Sequence, residues 1–224
     1  MKRSLLVVAL LAVILVIFYF FNKKEVIAPV VTPPALTDTK PVELCFGLFT
    51  PANERGFSDK YTLRMSLDNA KGKVTGELDF LPGEKDSKTG KFEGTVTPVD
   101  KVMMARTIEA WWDTFGEGIS AKEKIKIIFG EGTASIGAFG LSLTDVACSD
   151  LTLRDNIESY LKTNISKLSP VKPVLGGTWH VIGVSTDLSK SSGIVVYEDG
   201  HIQEKKNFSF SADAKGEITS LIIK

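Results

Sequence analysis

Cysteine and histidine are nearly missing from this chain: each occurs twice in 224 residues. Two cysteines exclude a small disulfide-dense scaffold and a four-thiolate zinc site. Two histidines leave no three-imidazole metal centre, and the nearest approach to a ligand set, His180 and His201 with Glu198 and Asp199, lacks the tight spacing such sites use. No metal and no other cofactor is expected. Charge of one sign is lacking too: 27 basic residues balance 27 acidic ones, so the basic face that nucleic acid requires is not expected. No G-x-S-x-G elbow occurs, and neither cysteine lies near a histidine in sequence. Gly116-Glu117-Gly118 and Gly130-Glu131-Gly132 lack the Lys-Thr pair and following helix of a phosphate loop, and read as hairpin turns. Adjacent acids such as Glu198-Asp199 do not place two carboxyls across a sugar. The expectation is a protein that is not an enzyme.

What the chain does have is one long apolar run. Residues 4–21, SLLVVALLAVILVIFYFF, carry no charge. At about 1.5 Å per residue a helix of this length spans roughly 27 Å, close to the ~30 Å core of a bilayer. Met1-Lys2-Arg3 places positive charge before the run, which predicts a cytoplasmic amino terminus and an extracytoplasmic remainder. Bulky Phe18-Tyr19-Phe20-Phe21 leads straight into lysines and offers no small-residue cleavage site, so a retained single-pass anchor is expected over a cleaved signal. Residues 1–25 are thus read as stub and anchor. Residues 26–41 contain Pro29, Pro33, Pro34 and Pro41 and read as a semi-rigid spacer.

Residues 42–149 alternate with period two. Tyr61, Leu63, Met65 and Leu67 alternate with polar residues, residues 69–72 turn the chain, and Val74, Gly76, Leu78 and Phe80 continue on the same face. A charged loop over 83–90, then Phe92, Gly94 and Val96, then Ile125, Ile127 and Phe129, and a strand over 133–139 repeat the rhythm. Residues 103–115 fit either period; the hairpin rhythm favours a strand with Trp111 and Trp112 on opposite faces and at least one of them in the core. Strands that bury one face predict an antiparallel barrel or sandwich. Cys45 and Cys148 stand near the two ends of this region and form a candidate disulfide.

Residues 150–224 change character. Leu153, Ile157, Tyr160, Leu161, Ile165 and Leu168 make an apolar stripe behind a capping Asp150, and Pro170 and Pro173 stop the helix. Strands follow over 179–185, 193–198, 201–211 and 217–223, with Asp199-Gly200 as a two-residue turn that makes Glu198 and His201 cross-strand neighbours. The fold class is therefore α+β, mainly β: an N-terminal transmembrane helix, an antiparallel barrel or sandwich, then a helix packed on a four-stranded meander. In layout the last part resembles a cystatin-like module, a likeness of shape that implies no inhibitor activity.

Glu84-Lys85-Asp86-Ser87 before Phe92-Glu93-Gly94, and residues 174–179 with Tyr197-Glu198-Asp199-Gly200-His201, resemble phrases of uncharacterised membrane-anchored bacterial envelope proteins. The resemblance implies location and no activity. The expected function is binding or scaffolding in the cell envelope, with the bilayer as partner through residues 4–21 and an envelope protein or glycan as the other. The alternatives are a lipid or small-molecule carrier with a barrel cavity, and an envelope hydrolase. Candidate ligand-binding residues are Trp111, Trp112, Trp179, His180 and His201.

Overall fold

The computed structural model describes residues 40–174 and 176–224. The predicted membrane helix and most of the proline spacer lie outside the described residues, and no helix among those described is long and apolar enough to cross a membrane.

Eight antiparallel strands follow one another as a meander: β1 (Val42–Phe49), β2 (Lys60–Asp68), β3 (Lys73–Leu81), β4 (Lys88–Val96), β5 (Arg106–Gly116), β6 (Ile119–Gly130), β7 (Thr133–Ile136) and β8 (Leu141–Asp145). They close into a barrel because β8 returns to β1, pairing Phe46 with Asp145 and Gly47 with Thr144. The period-two pattern explains the closure. Leu63, Met65, Leu67, Val74, Leu78, Ile108, Trp112, Ile127, Ile136 and Leu143 all turn inward and are fully or almost fully buried, and closing the sheet removes the exposed edges that an open one would leave. Of the two expected arrangements, the chain adopts the barrel.

Two details of the barrel differ from expectation. Residues 133–139 are not one strand: β7 ends at Ile136, a short 3-10 turn covers Gly137–Phe139, and Gly140 takes a left-handed φ of 61° before β8. The break lets Phe139 stack on Phe80 at 4.6 Å and meet Trp112 edge-on at 5.7 Å, plugging that end of the barrel with aromatic rings. The charged loop expected over 83–90 is shorter, since β4 begins at Lys88, opposite Phe80.

After β8 the helix α1 (Cys148–Leu168) starts at once. Its N-cap is Ala147, which offers no side-chain acceptor; Asp150 lies inside the first turn and not at the cap. Cys148, the first helical residue, is bonded to Cys45 of β1 with Cα atoms 5.2 Å apart, which fixes where the helix leaves the barrel. The helix then runs along the outside of β2, where Asp155 pairs with Arg64 and Lys60.

The remaining strands, β9 (His180–Asp187), β10 (Ser192–Glu198), β11 (Gln203–Ala212) and β12 (Ile218–Ile223), form a four-stranded antiparallel sheet in the order β12-β11-β10-β9. Ile157, Leu161 and Ile165 of α1 pack on Val195, Tyr197, Phe208, Leu221 and Ile223 of this sheet, with Trp179 completing the second core. The β10–β11 connection is longer than expected: Glu198 pairs with Gln203, not His201. The Asp199 carboxylate folds back to accept from the backbone N–H of His201 and Ile202 at 2.9 Å each, and also from Val174, which opens the turn to four residues.

Candidate functional site

The barrel has two distinct ends. One carries Val42 and the turns at 69–72, 97–105 and 130–132. The other carries the 50–59 loop, and there the second sheet docks: Lys205 Nζ donates to the Glu54 carbonyl at 2.7 Å, and Gly56 lies against Val196. A Cβ on Gly56 would overlap Val196, and its φ is 94°, so only glycine allows this approach.

Beside that contact lies a cleft of about 720 Å³. Its walls come from the barrel (Phe49, Thr50, Lys60), the helix (Arg154, Glu158) and the sheet (Thr186). Each wall is placed by a named interaction. Arg154 is half-buried; its Cζ sits 4.1 Å over the Phe49 ring and its Nη1 donates to the Thr186 carbonyl at 2.7 Å. That is the one hydrogen bond recorded for its guanidinium among the described residues, so most of its five N–H donors lack a protein acceptor there. Burial lowers the Arg154 pKa, an effect that Asp150 and Asp187 oppose.

Lys60 is different, because its Nζ is spoken for by Asp155 at 2.9 Å and Glu158 at 3.3 Å. Burial works against its charge, but Glu158 and Asp155 outweigh that and the pKa rises. Glu158 mirrors it: burial pushes its carboxyl up, Lys60 and Lys162 push it down further, and the net shift is downward. At the sheet rim the Ser189 hydroxyl and Lys190 hold the Asp187 carboxyl down at about 2. The cleft is therefore charged on both signs, with Arg154 as its least satisfied group. Oxygen acceptors on a ligand, whether carboxylate, hydroxyl or carbonyl, match that group.

The residues picked from sequence do not gather here. Trp112 is wholly buried in the barrel, its Nε1 donating to the Gly90 carbonyl at 3.0 Å. Trp179 is core to the second sheet; it meets Tyr197 edge-on at 4.8 Å and donates to the Val171 carbonyl. Trp111 is 44% exposed on the opposite face of β5 and carries Lys124 Nζ over its ring at 5.1 Å. The two adjacent tryptophans thus cannot form a joint stacking platform. His180, opposite Glu198 at the start of β9, and His201, in the β10–β11 turn, are both exposed, and neither lines the cleft. Among the described residues no group of three or more His, Cys, Asp or Glu side chains is arranged to hold a metal ion. The cleft residues escaped sequence reading because each is unremarkable alone; Lys60 and Glu158 are 98 positions apart. No family model, curated protein or solved structure gives a significant match to the chain.

Proposed function

We propose that this is a membrane-tethered, extracytoplasmic binding protein whose cleft between barrel and second sheet takes an oxygen-rich segment of an envelope protein or glycan. The observation that carries the reading is Arg154: a half-buried guanidinium held over Phe49 with one hydrogen bond among the described residues, in a concavity of about 720 Å³. A half-buried guanidinium with donors to spare in a concavity is placed to bind a partner's oxygen acceptors. The apolar run 4–21 and the proline spacer support the tethered location.

The test is site-specific photo-crosslinking in the native membrane, with the probe placed at Thr50 or Ser185 on the cleft, or at Ser135 on the outer face of β7. A discrete adduct from the cleft positions and none from Ser135 is expected. Equal labelling from all three, or none from either cleft position, would overturn the reading.

A small-molecule carrier is the second reading, favoured by the cleft's volume, which lies within the roughly 300–1,000 Å³ of ordinary ligand sites. The barrel interior itself is filled by side chains such as Met65, Trp112 and Ile127. Native mass spectrometry of the protein purified from membranes discriminates: a co-purifying small ligand lost in Arg154→Ala selects the carrier.

A further inference from the structure

The β4–β5 connection exposes apolar side chains in a way the fold does not require. Val102 is 93% exposed, Met103 60%, Met104 56% and Val99 52%. This is an ordered turn. The Asp100 carboxylate accepts from the backbone N–H of Val102 and Met103 at 2.8 and 3.1 Å, and Asp100 N donates to the Ala105 carbonyl at 2.8 Å. Arg106 braces its base, Nε donating to the Thr97 carbonyl and Nη1 to Asn69 Oδ1. Met104 takes a φ of 49°, uncommon for a residue with a long side chain. An ordered turn that holds four apolar side chains in water marks an interaction surface.

The topology says which surface. The turn projects from the barrel end that carries Val42, where the chain leads in from residues 1–39, and the cleft lies at the opposite end. The 20 residues between the apolar run 4–21 and Val42 reach about 70 Å at most when fully extended and join the chain at this barrel end, so this end and not the cleft end is the one tied to any bilayer that holds the run. We infer that Val99, Val102, Met103 and Met104 insert into the bilayer surface, standing the barrel upright so that the cleft faces away from the membrane. The inference rests on the tethered reading above. Exposed charges around the turn are mixed, with Lys40, Lys71, Lys73 and Lys101 against Glu131 and Asp145, so the attachment is apolar and insensitive to salt.

The full chain, disulfide intact, is reconstituted in phosphatidylcholine vesicles with an environment-sensitive fluorophore on Val102→Cys or Met103→Cys, and on Lys85→Cys at the other barrel end. Emission from 102 and 103 is expected to shift to the blue and to be quenched several-fold more by spin-labelled lipids than emission from 85, unchanged in high salt. If the protein resists alkaline extraction from the vesicles but 102 and 103 report water, the insertion is overturned and the tether stands, leaving the turn to a protein partner. If alkaline extraction releases the protein, the tethered reading fails and the inference falls with it.

Discussion

Thr62 and Asp79 face each other across the β2–β3 pair, the hydroxyl donating to the carboxylate at 2.9 Å. Burial raises the Asp79 pKa; Thr62 and Lys60 counter this in part, while Glu77 and Asp155 add to it. An acid whose folded pKa is raised supports the fold fully below 3.8, and that support is lost as pH rises through the folded value. Asp79→Asn, which can still accept from Thr62, is expected to raise Tm at neutral pH, with the gain fading in acid. Glu158 has the opposite sign: its lowered pKa stabilises above 4.5 and the contribution is lost as pH falls through the folded value. Glu158→Gln is expected to lower Tm at neutral pH only. Thermal melts of both variants across pH check the mirrored pattern.

The two adjacent tryptophans separate core from surface. Trp112→Ala empties the barrel centre and is expected to cost about 3–5 kcal/mol. Trp111→Ala loses only solvent-facing area and the Lys124 contact, about 1 kcal/mol or less. Urea unfolding of each variant measures the contrast.

The barrel seam depends on a covalent clasp. The β8–β1 ladder has two residue pairs, Phe46–Asp145 and Gly47–Thr144, whereas β1 pairs with β2 along its whole length. Cys45, whose carbonyl accepts from Val146 N, sits beside that seam and is bonded to Cys148. With the cysteines 103 positions apart, the chain-entropy model assigns the bond about 4–5 kcal/mol. Reduction is expected to lower Tm and to speed amide exchange in β8 and the start of α1 before the β2–β5 strands. Exchange mass spectrometry with and without reductant reads this.

Gly90 is where two backbones come closest. A Cβ there would run into the Asp113 carbonyl and Thr114 Cα of β5, atoms that cannot move without breaking the ladder. Gly90→Ala is expected to cost about 1–3 kcal/mol or more. Gly137→Ala, with open space around it, should be near neutral in the same unfolding assay.

Arg154→Met keeps most of the stacking surface over Phe49 but removes the donors. It is expected to abolish the cleft crosslinks at Thr50 and Ser185 while shifting Tm by little. An unchanged crosslink would assign the guanidinium a purely structural part.

Periodicity was enough to read most of the strands and the helix, and the placement of Cys45 and Cys148 near the two ends of the barrel region was enough to make them a candidate pair, which the structure joins. The turn at Asp199 was not legible, since its length is set by a carboxylate reaching back to its own backbone and across to Val174. Nor was the strand break at Gly137, which exists to seat Phe139 against Phe80 and Trp112. The cleft was out of reach for a deeper reason: Phe49, Arg154 and Thr186 are brought together by tertiary docking, and nothing in their immediate neighbours marks them. The helix start was placed two residues late, at Asp150, because the true N-cap, Ala147, has no polar side chain to mark it.

All eight barrel strands precede Cys148 in the chain, yet Cys45 lies in the first of them. During synthesis, then, its thiol must wait for more than a hundred further residues, and it emerges beside no partner. A thiol oxidase or small disulfide that meets the nascent chain finds this sulfur alone, and the intramolecular exit from the mixed disulfide so formed opens when Cys148 reaches Cys45. Maturation of this protein thus has a built-in interval of vulnerability, whose length is set by how fast β8 finds β1.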